Sequence, residues 1–221
     1  MNIAIVANTA EFNEFQEKFG ELHHCTQFLD HDFLSESENY EVIFDFSISD
    51  NPENFSFYDG IETSVFLNTV KMTLSELAVY YPFNDDQFFG FNGLLSFINR
   101  DVLEVTTLSN EPNLEIFESL STDFQIVADR VGMVTPRIIC MIINEAFYTV
   151  QEGTASPEDI DLGMKLGTNY PMGPFEWLGK IGVSNVYELL EALYEDTKEE
   201  RYIISAALKQ EYLKDQRVTQ Q

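Results

Sequence analysis

Short apolar runs alternate with helix-patterned segments in the first half of the chain, and this alternation constrains the fold more than any other feature. Residues 3–7 (IAIVA) form a run typical of a buried parallel strand, and a helix candidate with phenylalanines at helical spacing follows and ends at Gly20. Further strands are predicted over 25–29, 40–46 and 63–67, and short helices over 73–80 and 114–120. Strands alternating with helices predict an α/β domain built on a parallel sheet.

The pattern changes after residue 130, where every periodic segment is helical. Thr135-Pro136 and Ser156-Pro157 each combine an N-cap residue with a proline at the first helical position, which tolerates proline because its N–H has no helical partner. The helix that starts at Pro136 has such a broad apolar face that we expect it to lie in the centre of a core. The predicted architecture is therefore α/β followed by all-α.

Charge divides the chain in the same region. The whole chain carries 12 Lys+Arg and 38 Asp+Glu, for a net charge of −26. Residues 1–125 hold 3 basic and 23 acidic side chains, a net −20, whereas residues 126–221 hold 9 and 15, a net −6. This change in net charge predicts two domains, 1–125 and 126–221. Such an acidic surface repels phosphates, which makes nucleic acid and anionic membranes poor partners.

The remaining composition predicts an ordinary intracellular protein. Cys25 and Cys140 lie far apart and form no metal or redox spacing, and Cys140 stands in an apolar run that predicts burial. The apolar start lacks the basic residues of a signal peptide, and no apolar stretch approaches the roughly 18 residues of a membrane helix. We therefore expect a cytoplasmic location and no bound metal.

One segment carries a family pattern. Residues 144–183 read NEAFYTVQEGTASPEDIDLGMKLGTNYPMGPFEWLGKIGV. The N-E-A helix, the E-x-G-x-A-S-x-E-D-I-D turn and helix, and the M-K-L-G and P-M-G-P-F-E elements resemble the helical C-terminal domain of 3-hydroxyacyl-CoA dehydrogenases, including the 3-hydroxybutyryl-CoA type. The resemblance implies a Rossmann-like first domain, here shortened, and a homodimer formed through the helical domain. The segment itself is interpreted as a mark of fold and dimer interface rather than of catalysis.

The same resemblance locates the position of an NAD site. The three glycines of the family's dinucleotide turn fall on Ala7, Thr9 and Phe12, so none is kept. A glycine-rich turn lets the backbone approach the pyrophosphate, and a benzyl side chain fills the space that the last glycine leaves. Asp30 stands where a ribose-binding acid belongs, and Asn68 matches the asparagine of the family's S-N-T-S-S segment. We predict that no cofactor is bound, with NAD at Asp30 and Asn68 as the alternative.

The catalytic positions are altered as well. Residues 87–105 are similar to the family's R-F-x-G-x-H-F-F-N-P…L-V-E-V stretch, in which Glu104 matches the glutamate that orients the catalytic histidine. Asn92 occupies the position of that histidine, and an amide has no group that titrates near neutral pH. Val70 and Pro136 replace a serine and an asparagine of the family site. The three histidines of this chain, His23, His24 and His31, are predicted to be exposed loop residues.

Three functions stay open on this sequence. The favoured one is a 3-hydroxyacyl-CoA dehydrogenase-like protein that has lost NAD-dependent catalysis and acts in binding or assembly, with an acyl-CoA or another enzyme as partner. The second is an active oxidoreductase that converts short 3-hydroxyacyl-CoA to 3-oxoacyl-CoA at an altered site built on Glu104 and Asn68. The third is a binder of small molecules.

Overall fold

The apolar runs of the first half form one seven-stranded sheet in the computed structural model, which describes residues 1–219. The strands are β1 (Asn2–Val6), β2 (His24–Phe28), β3 (Val42–Asp45), β4 (Ser64–Asn68), β5 (Phe88–Phe91), β6 (Val102–Thr106) and β7 (Asp123–Ile126). Their order is β2-β1-β3-β4-β5-β6-β7, and every neighbouring pair is parallel except β5 with β6. The predicted α/β class with a Rossmann-like sheet is confirmed.

Helices and 3₁₀ segments cover both faces of this sheet. The α-helices are α1 (Thr9–Phe19), α2 (Leu74–Tyr80) and α3 (Glu115–Leu120), and the 3₁₀ segments are Asp32–Asn39 and Pro52–Tyr58. One face packs against α1 and α3 through a layer rich in phenylalanine. The opposite face packs against the 3₁₀ segments and α2. Because both faces are covered, the central strands are apolar on both sides, as residues of a buried parallel sheet must be.

The chain divides into two compact units, which we call the sheet unit (Met1–Met133) and the helical unit, beginning at Val134. The sheet unit continues beyond residue 125 because β7 pairs with β6 and the N–H of Gly132 donates to the carbonyl of Val70, at 2.7 Å.

The helical unit is all-α, as expected. Its helices are α4 (Thr135–Gln151), α5 (Pro157–Thr168), α6 (Pro174–Ile181), α7 (Val183–Thr197) and α8 (Ala206–Thr219). Helix α4 is the central one and buries Ile139, Cys140 and Ile143, which confirms the predicted core helix and the buried cysteine. Thr135 is already inside the helix and Val134 is its N-cap, so Thr135 is not the cap that the sequence predicts. Among residues 1–219, none of the helices combines the length and the apolar composition that a membrane span requires.

Candidate functional site

The carboxyl ends of β1 and β3 form the crevice in which an open α/β sheet binds its ligands. Strands β2 and β3 lie on opposite sides of β1, so the connections that leave β1 and β3 diverge at this edge. Ligands of such sheets bind at this change of direction, next to the N-terminus of the first helix. The residues that follow β1 and β3 therefore decide what this crevice can hold.

The N-terminus of α1 is capped by the side chains of its own first turn. Asn8 Oδ1 accepts hydrogen bonds from the N–H groups of Ala10 and Glu11, at 2.9 and 3.1 Å. In return, Glu11 Oε2 accepts one from the N–H of Asn8, at 2.9 Å. This reciprocal capping box engages two of the N–H groups that a helix N-terminus offers to a phosphate. A pyrophosphate would have to displace the Asn8 amide and approach the Glu11 carboxylate.

The charges around this helix end also oppose an anion. Partial burial raises the pKa of the Glu11 carboxyl; the hydrogen bond from the N–H of Asn8 lowers that pKa, and the carboxylates of Asp50 and Asp45 raise it. Lys71 lowers the same pKa, but its ammonium is already engaged with Asp50, with Nζ 2.5 Å from Oδ1. Three carboxylates thus act on a site that contains one ammonium, and a phosphate there meets repulsion.

The first turn also lacks the space that glycines would leave. Ala7 is buried in the phenylalanine-rich layer, and the Phe12 ring packs against that layer from the first turn of α1. Both side chains therefore occupy volume between the helix and the sheet. The residues present at this crevice do not fit a dinucleotide pyrophosphate.

Removing the Asn8 cap is expected to destabilise the sheet unit. Asn8→Ala leaves the N–H groups of Ala10 and Glu11 without their acceptor, and the free energy of unfolding should fall by about 1 kcal/mol. Urea denaturation followed by circular dichroism measures the change. Asn13→Ala, at an exposed interior position of the same helix, is the matched control and should leave stability unchanged or raise it by about 0.5 kcal/mol. Equal losses in the two variants would contradict a capping role.

The raised pKa of the half-buried Glu11 carboxyl gives a prediction on pH. Because its pKa is raised in the folded state, that state binds the proton more tightly than the unfolded chain does. The stability contributed by the protonated group is present below the ordinary glutamate pKa and is lost as pH rises through the raised value. Glu11→Gln removes this titration, so the variant should gain stability relative to the wild type between acidic and neutral pH. Urea midpoints along a pH series test this, with the exposed Glu21→Gln as the control for charge removal.

A buried hydrogen-bond network centred on Asp45 fills the other side of the crevice. The Asp45 side chain is fully buried at the end of β3. Its Oδ2 lies 2.8 Å from His31 Nε2 and accepts a 2.8 Å hydrogen bond from the Tyr58 hydroxyl, and its Oδ1 accepts 2.7 Å bonds from the N–H and hydroxyl of Ser47. Burial raises the pKa of the Tyr58 phenol well above its ordinary value, and the neighbouring Asp45 carboxylate raises that pKa further.

The prediction that the histidines are exposed loop residues is wrong for His31 and His23, and His24 is exposed but begins strand β2. The His31 side chain is only 7% exposed and its ring stacks on Phe57, with centroids 4.9 Å apart. His23 is half-buried, with Nε2 3.0 Å from the Leu120 carbonyl oxygen, and only His24 is exposed. The sequence signal for the network was a charged residue, Asp45, inside the apolar run YEVIFDF, since a buried aspartate needs partners.

Three of the four predicted site residues come together at the ends of β4 and β5. Asn68 is buried, and its Oδ1 accepts from the N–H of Gly93 at 3.2 Å. Asn92 is buried, donates its N–H to the carbonyl of Glu104 at 3.2 Å, and uses its Oδ1 to accept from the N–H of Leu94 at 3.3 Å. Glu104 is half-buried on β6. Asn68 and Asn92 thus use their side-chain oxygens to fix the turn that follows β5.

Asp30 is not part of this group. It is exposed beyond the end of β2, and its Oδ1 accepts a hydrogen bond from the N–H of Asp32, at 3.1 Å. Its side chain therefore helps to shape the start of the 3₁₀ segment Asp32–Asn39.

The chemistry available near Asn92 is narrow. The side-chain oxygens of Asn68 and Asn92 are engaged in the turn after β5, and Asn68 Nδ2 donates to the Phe46 carbonyl at 3.3 Å. Neither amide can take up a proton near neutral pH. His31 is paired with Asp45, and His23 contacts a backbone carbonyl. Within residues 1–219, no group of three or more His, Cys, Asp or Glu side chains could hold a metal ion.

The motif residues of the helical unit hold its own helices together. Asp161 accepts from the N–H groups of Phe175 and Glu176, at 2.8 and 3.1 Å, and so caps α6. Gly173 is required beside it, because a Cβ there would lie 2.3 Å from the Asp161 carboxyl carbon. Asn144 binds the chain before α8, with Nδ2 2.9 Å from the Ile203 carbonyl oxygen and Oδ1 2.9 Å from the Ser205 nitrogen.

Comparison with known proteins gives matches of two kinds. Residues 132–221 match the family model described as 3-hydroxyacyl-CoA dehydrogenase, C-terminal domain. The chain is 45% identical over 87 residues to 3-hydroxyadipyl-CoA dehydrogenase of Escherichia coli, covering 39% of this chain and 18% of that protein. It is 35% identical over 105 residues to a probable 3-hydroxybutyryl-CoA dehydrogenase of Bacillus subtilis, covering 46% of this chain and 37% of that protein. The matched stretches are thus a minor part of these relatives.

The likeness in fold extends over nearly the whole chain. The crystal structure of (S)-3-hydroxybutyryl-CoA dehydrogenase from Ralstonia eutropha superposes with a TM-score of 0.71 at 20% identity, covering 95% of this chain and 92% of that one. At this identity the superposition is evidence of a shared fold alone.

Proposed function

We propose a function from the premise that residues 132–221 make this chain a member of the 3-hydroxyacyl-CoA dehydrogenase family. The chain keeps the family fold, lacks NAD-dependent catalysis and acts in binding or assembly. The observation that carries the proposal is the capping box between Asn8 and Glu11. It occupies the helix N-terminus at which a dinucleotide pyrophosphate would bind. The placement of Asn92 at the family's histidine position supports the same conclusion.

Two measurements test the loss of NAD chemistry. Calorimetric titration with oxidised and reduced NAD should give no binding heat at millimolar cofactor, because the phosphate would meet the Glu11 carboxylate and a capped helix. Absorbance of reduced NAD should stay at the no-enzyme rate in the presence of acetoacetyl-CoA. An active 3-hydroxybutyryl-CoA dehydrogenase, run in parallel, verifies the reagents. Turnover clearly above the blank would overturn the proposal.

A second candidate function is an active oxidoreductase on short 3-hydroxyacyl-CoA substrates. The observation that favours it is the meeting of Asn68, Asn92 and Glu104 near the ends of β4 and β5. In that case NAD should bind, and Glu104→Gln should abolish turnover while leaving NAD binding intact, because Glu104 would be the only titratable member of the group. Asp30→Asn should then weaken NAD binding, as expected of a ribose-binding acid.

We also propose that the helical unit forms a homodimer, as the family resemblance implies. Helix α5 buries none of its side chains, and Leu162 and Leu166, one turn apart, are 53% and 79% exposed. Ile138 on α4 is 52% exposed. Apolar side chains on a helix that lacks buried residues favour a protein partner, and a second copy of this chain is the partner that the resemblance implies. An acyl-CoA or another enzyme is the further partner proposed for the assembled protein.

A charge on α5 should weaken that dimer. Leu166→Glu places a carboxylate in an apolar contact, and we expect the monomer–dimer dissociation constant to rise at least about tenfold. Sedimentation equilibrium at several concentrations measures it. Val79→Glu is the matched control, because Val79 is 75% exposed in the sheet unit and lies outside the proposed contact. A wild-type protein that stays monomeric at the highest concentration, or an equal effect of both variants, would exclude this interface.

A further inference from the structure

A pocket of about 660 Å³ lies in the sheet unit, beside the residues that precede β4 and β5. Its walls are the 3₁₀ segment Pro52–Tyr58 with the turn after it, the residues that follow α2, and the start of β5. We call it the aromatic pocket, because its lining includes Phe55, Tyr58, Tyr80, Tyr81, Phe83 and Phe88. Its volume lies in the range of small-molecule sites.

The aromatic rings of this pocket support one another. The Phe55 ring centroid lies 5.1 Å from that of Phe88, 5.2 Å from that of Phe83 and 5.5 Å from that of Tyr81. Phe83 and Phe88 are 4.9 Å apart. Rings packed at these distances hold their orientation, so the wall is formed before a ligand arrives.

The buried network described above fixes a further part of the wall. The Tyr58 hydroxyl donates to Asp45, and the Tyr58 ring lies 6.4 Å from Phe88 in an edge-on arrangement. Its hydroxyl is therefore engaged in the interior, and its buried ring supports the pocket wall from behind. At the other side Tyr80 is 78% exposed.

The charged side chain that lines the pocket is acidic. Asp59 is exposed and lines it, and neither lysine, arginine nor histidine is among the lining residues. An adjoining depression of about 460 Å³ shares Asp59, Gly60 and Ile61 with the aromatic pocket and adds Glu38 and Glu62. The face of an aromatic ring carries partial negative charge, which attracts cations, and a nearby carboxylate adds to this attraction. An anionic ligand would be repelled by both.

We propose that the aromatic pocket binds a small organic cation, an ammonium group carried on an apolar or aromatic body. The body packs against Tyr80, Tyr81 and Phe83, which keep exposed surface in the pocket, and the ammonium lies toward Asp59. This site involves neither the helix N-terminus of α1 nor Glu104, so it stands whether or not the chain binds NAD.

Three probes that share one aromatic body test the proposal. Tyramine carries an ammonium, 4-ethylphenol is its neutral counterpart, and 3-(4-hydroxyphenyl)propionate carries a carboxylate. In saturation-transfer NMR and calorimetry on the full chain, tyramine should bind at least about fivefold more tightly than 4-ethylphenol, and the propionate should not bind. Equal binding of tyramine and 4-ethylphenol, or no binding of tyramine at millimolar concentration, would overturn the proposal.

Variants then locate the site. Asp59→Asn should weaken tyramine binding about threefold and leave 4-ethylphenol unaffected, because it removes a carboxylate at an exposed position. Phe83→Leu should weaken both probes. Glu145→Gln, which removes one exposed charge from the helical unit, is the control and should change neither. Unchanged tyramine affinity in both Asp59→Asn and Phe83→Leu would place the ligand elsewhere and refute this assignment.

Discussion

Asp45→Ala is expected to lower the free energy of unfolding of the sheet unit by about 3–5 kcal/mol. The carboxylate is fully buried and is the shared acceptor of His31, Tyr58 and Ser47. Its removal leaves an imidazole and a phenol in the interior without the acceptor that satisfied them. The penalty for such groups is larger than the net value of the hydrogen bonds, because water solvates them only in the unfolded chain.

The loss of stability in Asp45→Ala should be greatest around the hydrogen-bond network. Hydrogen exchange followed by mass spectrometry should show reduced protection of β1 and β3, and urea denaturation gives the free energy. Asp85→Ala, at an exposed aspartate, is the matched control and should stay within about 0.5 kcal/mol of the wild type. Asp45→Asn keeps one side-chain oxygen acceptor and should be less damaging than alanine. A loss below about 1 kcal/mol for Asp45→Ala would mean that the network does not stabilise the fold.

The sequence predicts the strands and helices because their signals are local. The apolar run at residues 3–7 corresponds to β1, and the phenylalanine spacing before Gly20 corresponds to α1. Strand β7 carries no comparable signal. Three of its four residues are exposed and the fourth, Phe124, is half-buried, so only its pairing with β6 identifies it.

The contacts of the crevice could not be predicted in the same way. His31 and Tyr58 meet Asp45 from two 3₁₀ regions on opposite sides of β3 in the sequence, and no periodicity links them. Asn8 and Glu11 do have the spacing of a capping box, but the sequence alone does not show whether the cap is formed or replaced by a ligand. Asn68 and Asn92 come together because the parallel strands β4 and β5 end side by side, and Glu104 faces Asn92 across the antiparallel pair of β5 and β6.

The excess of acidic residues before residue 125 is also found at the crevice beside α1. Glu11, Asp45 and Asp50 are three of the 23 acidic side chains in residues 1–125, and all three act at the N-terminus of α1. The excess of acid is therefore more than a property of the solvated surface. It extends to the place at which a dinucleotide-binding sheet presents its positive helix end.

Phe44→Ala is expected to destabilise the sheet unit by about 3–5 kcal/mol. Seventeen of the 19 phenylalanines lie in the sheet unit, and Phe44 is fully buried in the middle of their layer. Its ring stacks on Phe66 at 4.6 Å, and its centroid lies 4.8 Å from that of Phe15 on α1 and 5.3 Å from that of Phe91 on β5. Truncation opens a cavity between α1 and three strands, and neighbouring rings collapse poorly because each is held by others.

The cost of Phe44→Ala should come from the lost volume and the lost ring contacts, and two comparisons separate these. Phe44→Leu restores most of the volume without the aromatic contacts and should cost about 1–2 kcal/mol by urea denaturation. Leu29→Ala, at a side chain that is 81% exposed, should lie within about 0.5 kcal/mol of the wild type. Because Phe15 anchors α1 to Phe44, the alanine variant should also reduce hydrogen-exchange protection in α1. Full protection of α1 in Phe44→Ala would show that the helix is positioned by its capping box and its other contacts, without this ring.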